Sequence, residues 1–131
     1  MDAIVPLLAV GRIALNSESF IQAIKAYVRE VAVENTVNAV ANPPGRRPSK
    51  ESREIADWYS GLPAHQKEII GQIIREAVDD ALFGLLCVLD GVRAIEDTHS
   101  SGWLELHYVS ETGRTLLNNP RTDYLHDIYN G

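Results

Sequence analysis

Residues 81–89, ALFGLLCVL, decide how the rest of the chain folds. They continue a helix predicted over 63–90, in which apolar residues recur at steps of three and four and charged residues occupy the opposite side. After Asp80 the charged side also becomes apolar, at Phe83, Gly84 and Cys87. Because a helix that is apolar all round is buried on every side, we expect the second half of this helix to form the centre of the fold.

This central helix makes two expectations measurable. Leu85→Ala should lower the free energy of unfolding by ~2–5 kcal/mol, as truncations in a protein core do. The thiol of Cys87 should be buried and inert. Asp90 and Gly91 should end the helix, because glycine readily takes the left-handed conformation that closes a helix.

The segments before and after the central helix predict an α+β domain that is mostly helical. Four or five helices are expected in total, over 3–15, over 18–41 with Ser17 as its cap, after Ser49, over 63–90 and over 123–129. Between two of them, NPPGRRPSK at 42–50 predicts a mobile loop, because its three prolines and one glycine allow little regular structure.

A β-hairpin is predicted near the C-terminus. WLELHYV at 103–109 alternates between apolar and polar residues, which is typical of a half-buried strand. Residues 110–113 predict a turn and 114–117 the returning strand. The alternation places Leu104 and Leu106 against the helices and leaves Trp103 on the opposite face.

Length, charge and cysteine content limit the function classes. A chain of 131 residues fits one domain, 1–131, and a net charge of −6 argues against a nucleic-acid binder. The single cysteine cannot form an intrachain disulfide, which fits a reducing cytoplasm. The apolar run 81–89 is shorter than the ~20 residues that cross a membrane. Asp2 also stands where a signal peptide needs positive charge. We therefore expect a cytoplasmic protein that binds neither nucleic acid nor membrane.

The acidic residues are concentrated in the C-terminal part of the chain. Residues 76–131 contain ten acidic and three basic residues, a net charge of −7, whereas 46–75 carries +2. An acidic surface of this kind speeds association with a cationic protein and contributes to its specificity. The candidate partner-binding residues are Glu96, Asp97, Trp103, Glu105 and Glu111, with Trp103 as the aromatic anchor.

Other polar clusters have less specific interpretations. The carboxylates of Glu76, Asp79 and Asp80 can hold Mg²⁺ or do acid–base chemistry, but a solvated helix face is the favoured interpretation. The basic 46–53 segment can touch phosphates or be a solvated loop. Five further residues carry groups that bind metals, although their spacing matches no metal-binding motif: Asp90, Glu96, Asp97, His99 and His107. We predict no catalytic residue, no metal site and no cofactor.

Three segments resemble small uncharacterised bacterial proteins of the immunity-protein type. They are FGLLCVLDGVRAIED at 83–97, WLELHYV at 103–109 and LHDIY at 125–129. The resemblance implies a cytoplasmic bacterial protein that binds a toxin, and it carries over no binding residue. Residues 1–75 lie outside it.

Together these patterns favour a protein-binding module rather than an enzyme. The main hypothesis is an immunity-type inhibitor that binds a cationic toxin enzyme through an acidic C-terminal surface. One alternative is a helical structural or regulatory protein that forms homo-oligomers. Another is a small hydrolase with a carboxylate–histidine site assembled from residues distant in sequence.

Overall fold

The computed structural model describes residues 15–97 and 102–131. The helix predicted over 3–15 and the candidate ligand His99 fall outside these described residues, apart from Leu15. The described helical elements are α1 (Ser17–Ile24), a π-helical turn (Lys25–Arg29), α2 (Glu30–Ala41), α3 (Lys50–Ser60), α4 (Ala64–Leu89) and α5 (Leu125–Asn130). Two strands, β1 (His107–Ser110) and β2 (Gly113–Leu116), complete the fold. The prediction of a mostly helical α+β fold with one C-terminal hairpin is confirmed.

Local side-chain hydrogen bonds explain where two helices begin. At α1, Asn16 Oδ1 accepts from the backbone amide of Ser19 at 2.8 Å, and Ser19 Oγ accepts from the amide of Asn16 at 2.9 Å. The choice of Ser17 as this cap is therefore wrong by one residue. The Ser17 hydroxyl donates instead to the distant carbonyl of Leu117, at 2.6 Å. The helix predicted after Ser49 is confirmed as α3, and Ser49 caps it, since its Oγ accepts from the backbone amide of Ser52.

The chain divides into two compact units. Of the described residues, the first contains 15–26, 82–97 and 102–131, and the second contains Tyr27–Ala81. One division falls in the π-helical turn and the other inside α4. The prediction of a single domain over 1–131 stays a prediction.

The core of the first unit joins three helices. Ile21 from α1, Leu86 from α4, and Leu125 and Tyr129 from α5 are all at most 5% exposed and pack together. Leu106, before the hairpin, packs against this cluster.

Burial along the end of α4 is one-sided, contrary to the sequence prediction. Cys87 is buried, as expected, but Leu85 is 55% exposed. Gly84 is buried because the guanidinium of Arg93 lies against it, in the space that a Cβ would take. The prediction that residues 81–89 are buried on every side is wrong at Ala81 and Leu85. An arginine beyond the helix end covers a position that the sequence pattern assigned to apolar contacts.

The hairpin is shorter than its sequence pattern suggests. His107 pairs with Leu116 and Ser110 with Gly113, which leaves a two-residue connection. The Leu117 amide donates to the carbonyl of Leu106 at 2.8 Å and extends the pairing by one step. Residues 102–106 belong to no strand, and Leu104 is 45% exposed, so its predicted inward orientation is wrong.

The second unit has a small core and several exposed ion pairs. Val33 and Tyr59 are its buried side chains, on α2 and α3. Arg75 of α4 donates two hydrogen bonds of 2.8 Å to the carboxylate of Glu30. The loop predicted over 42–50 has no regular structure from Asn42 to Ser49, while Lys50 already begins α3.

Candidate functional site

The candidate site is a surface in the first unit with Trp103 at its centre. The indole side chain is 77% exposed, the largest exposure among the large apolar residues of the described chain. Two clefts share Trp103 and Leu104 as lining residues, one of about 310 Å³ and one of about 470 Å³. We call this surface, with both clefts, the Trp103 surface.

Acidic side chains line both clefts. Glu96 and Asp97 line the smaller cleft and Glu105 lines the larger one. Four of the five predicted partner-binding residues therefore belong to the Trp103 surface. The fifth, Glu111, is exposed in the hairpin turn and lines neither cleft.

Glu105 fixes the orientation of the exposed indole. Trp103 Nε1 donates to Glu105 Oε2 at 2.9 Å, and Glu105 Oε1 lies 3.0 Å from His107 Nε2. The indole N–H of Trp103, and after it His107, lowers the pKa of the Glu105 carboxyl below its ordinary value. The carboxylate therefore stays ionised at mildly acidic pH.

The surroundings of His107 indicate which nitrogen carries its proton. Nδ1 is buried and has no hydrogen-bond partner among the described residues. The carboxylate of Glu105 can only accept, so a hydrogen bond to it from Nε2 requires the proton on Nε2 and leaves the lone pair on Nδ1. We therefore place the proton on Nε2, from which it is donated to Glu105.

A buried amide side chain positions the backbone of the Trp103 surface. Asn118 Nδ2 donates to the carbonyls of Leu89 at 2.6 Å and Leu104 at 2.9 Å, while Oδ1 accepts from the Leu106 amide at 2.9 Å. Asn118 is 8% exposed. It thus connects the end of α4 to the segment that carries Trp103 and Glu105. In the sequence, Asn118 looks only like a residue that ends a strand, and no local pattern indicates its three distant partners.

Gly91 makes the sharp turn on the α4 side of both clefts. Its φ of +78° lies in the left-handed region that favours glycine, as predicted for the residue that ends this helix. Gly91 lines both clefts, so this turn is part of the wall that the two clefts share.

A second polar cluster joins Asp90 to α5. The Asp90 carboxylate is fully buried and accepts from the backbone amides of Leu125 and His126, at 3.1 and 2.9 Å. Its Oδ2 also lies 2.6 Å from His126 Nδ1. Tyr124, at the start of α5, supplies no side-chain cap, so Asp90 caps this helix from 35 residues away.

The Asp90–His126 pair has one half of the geometry of a hydrolytic triad. A carboxylate on Nδ1 orients a histidine whose Nε2 then activates a nucleophile. Here Nε2 lies 3.4 Å from the carboxylate of Asp127, an acceptor with no proton to give up. Tyr124 stacks on the imidazole, and Phe83 packs edge-on against it. These contacts support a structural role for the pair.

Two of the remaining sequence candidates that the structure describes, Asp79 and Lys50, lie beside an oppositely charged side chain. Asp79 lies 3.8 Å from Arg29, and Lys50 lies 3.7 Å from Glu54. Within residues 15–97 and 102–131, no three His, Cys, Asp or Glu side chains are grouped so that they can hold a metal ion. In the same part of the chain, no helix combines the length and apolarity needed to cross a membrane.

Comparisons with protein-family models, with curated proteins and with solved structures find no match to this chain.

Proposed function

We propose that this chain is a protein-binding module, an immunity-type inhibitor that captures a cationic toxin enzyme in the bacterial cytoplasm. The observation that carries the proposal is the indole of Trp103, which is exposed to solvent yet held in place by a hydrogen bond to Glu105. An ordered, exposed aromatic side chain next to clefts is typical of an interface anchor, since it loses little conformational entropy on binding.

Charge supports the same proposal. Residues 82–131 contain seven acidic and three basic residues. Three of those carboxylates, from Glu96, Asp97 and Glu105, line the clefts beside Trp103. A negative rim around an apolar anchor complements a positive partner and accelerates its association. The proposed mechanism is occlusion of the toxin, with no bond made or broken by this chain.

The experiment is affinity capture from the native host, followed by a growth assay. The captured protein, expressed alone, should arrest growth, and co-expression of this chain should relieve the arrest. Trp103→Ala should weaken the complex by ~2 kcal/mol or more, as expected for an interface anchor. Reversing Glu96 and Asp97 to lysine should mainly lower the association rate.

A matched control tests whether the site or the overall charge matters. Glu34→Lys with Glu68→Lys makes the same charge change at exposed positions of the second unit. This variant should retain binding. A captured partner that binds equally well after Trp103→Ala and after both reversals would place the interface elsewhere.

Self-association is a second candidate function, favoured by the exposed apolar residues of the second unit. On α4, Ile69 and Ile73 lie one turn apart and are 49% and 58% exposed, and Trp58 of α3 is 59% exposed. Sedimentation equilibrium tests this candidate. A dimer that Ile73→Glu converts to monomer would support it, and a monomer at all concentrations would exclude it.

A further inference from the structure

The Trp103 surface combines three features that one type of side chain can use together: an open aromatic face, a fixed carboxylate and an apolar cleft wall. The hydrogen bond from Nε1 lies at the edge of the indole, in the plane of the ring, so it leaves the ring faces available. With 77% of the side chain exposed, a flat group can stack on it.

Glu105 keeps hydrogen-bonding capacity for a ligand. Each of its oxygens already has one contact, at 2.9 Å to Trp103 and 3.0 Å to His107. A carboxylate offers about four lone-pair sites, so roughly two remain open. Those contacts also hold the carboxylate beside the indole edge, where it can accept a bond from a group stacked on the ring.

We propose that Trp103 and Glu105 form a receptor for one arginine side chain of the partner, with its guanidinium on the indole face and a donated hydrogen bond to Glu105. The aliphatic stem of the arginine lies along Leu104 in the larger cleft. This inference rests on the proposed function and specifies the chemistry by which the Trp103 surface selects its partner.

Arginine fits this receptor better than lysine does. A guanidinium is planar, stacks on aromatic rings and donates in its own plane, so it can satisfy the indole face and the carboxylate at once. An ammonium group is compact and strongly hydrated, so it cannot stack on the indole of Trp103 and hydrogen-bond to Glu105 as well as a guanidinium can. Glu96 and Asp97, which line the neighbouring cleft, add attraction for further positive residues of the same partner.

Two arginines of this chain lie near the receptor. The guanidinium of Arg93 lies against Gly84. Arg114 of β2 is exposed and has the weakest of the effects that lower the pKa of Glu105. Because the positive charge of Arg114 acts on the same carboxylate and repels an incoming arginine, Arg114→Gln should strengthen binding slightly.

The test titrates the full chain with two defined peptides, hexa-arginine and hexalysine. A Trp58→Phe background leaves Trp103 as the single tryptophan of the chain, so its fluorescence reports directly on the receptor. Hexa-arginine should perturb that fluorescence and bind several-fold more tightly than hexalysine. Glu105→Gln should weaken hexa-arginine binding by roughly twofold to fivefold, the range for an exposed charged contact of this type.

Glu111→Gln is the matched control. It removes the same charge from the exposed hairpin turn and should change the affinity by less than about twofold, since isolated surface charges contribute little. Trp103→Leu, followed by calorimetry, should reduce the preference for arginine over lysine. Each of three results would overturn the proposal of an arginine receptor. These are equal affinity for the two peptides, equal loss of hexa-arginine affinity in Glu105→Gln and Glu111→Gln, or no binding of hexa-arginine.

These outcomes are separable from a failure of the inhibitor function. If a toxin is captured but hexa-arginine does not compete with it, the inhibitor function stands and the arginine receptor is wrong. If hexa-arginine binds as described but no captured protein arrests growth, the receptor stands and the inhibitor function fails.

Discussion

The two units of this chain are stabilised by polar groups in opposite environments. In the first unit, the Asp90 carboxylate is fully buried and Asn118 is 8% exposed, and both bond to backbone groups. In the second unit, the principal polar contact is the Glu30–Arg75 ion pair, with side chains 43% and 44% exposed. Buried polar groups are costly to leave unpaired, whereas exposed ion pairs are weak and sensitive to salt.

This difference has a functional meaning. The proposed binding surface lies in the unit whose backbone is held by buried hydrogen bonds. An interface that is ordered before binding loses less entropy on association. The ion pairs of the second unit are exposed, so we expect it to tolerate changes of charge and use it for the control substitutions.

The largest expected effect is at Asp90. Asp90→Ala removes the acceptor for two α5 amides and for His126, and it should lower the free energy of unfolding by ~3–5 kcal/mol. Urea denaturation followed by circular dichroism measures this loss. The control is Asp127→Asn, at a side chain 67% exposed, which should change little. Equal, small losses in both variants would remove the contrast between the two units.

Core truncations should have a slightly smaller and very uneven effect. Leu125 is fully buried, so Leu125→Ala should cost ~2–5 kcal/mol. Leu85→Ala removes a side chain that is 55% exposed and should cost less than about 1 kcal/mol. Thermal unfolding compares the two variants, in which the same substitution of leucine by alanine is made at a buried and at an exposed position. A larger loss of stability in Leu85→Ala than in Leu125→Ala would support the sequence prediction that residues 81–89 are buried on every side, and would contradict the structure.

The smallest effect is expected in the second unit. Hydrogen bonds from Arg75, and after them Arg29, lower the pKa of Glu30 from 4.5 to about 2. Because the folded pKa lies below the unfolded value, the ion pair stabilises fully above about pH 4.5 and this contribution is lost as the pH falls to about 2. Glu30→Gln should make stability less dependent on salt and on pH in that range. Identical pH profiles for the variant and the natural chain would exclude a contribution from this pair.

Local sequence patterns predict the secondary structure well, because helices and turns are determined mainly by residues close together in sequence. The 63–90 helix needs only its apolar spacing and the left-handed Gly91, and both appear in the structure. The start of α3 after Ser49 is also predicted correctly, and its cause is local, since the Ser49 side chain bonds to a backbone amide three residues away.

Distant contacts account for the main errors. Ala81 and Leu85 are exposed despite the apolar pattern around them, and the cover that Arg93 gives to Gly84 comes from beyond the helix end, where helical spacing cannot show it. Asparagine is a residue type common in turns, yet the hydrogen-bond partners of Asn118 lie 12, 14 and 29 positions away. For the candidate site, charge and alternation select Trp103 and Glu105 as candidates, and their role in binding stays a prediction. The hydrogen bond between their side chains, which orients the indole, depends on side-chain geometry that the sequence does not display.

The cap that Asp90 provides for α5 also implies an order of events in folding. A helix of six residues is far below the ~12–15 residues at which isolated helices become even marginal, and α5 has no side-chain cap of its own. It therefore gains stability only after α4 has formed and the intervening chain has closed on Asp90. The helicity of Leu125–Asn130 should consequently be a late signal in refolding, one that reports the completion of the first unit.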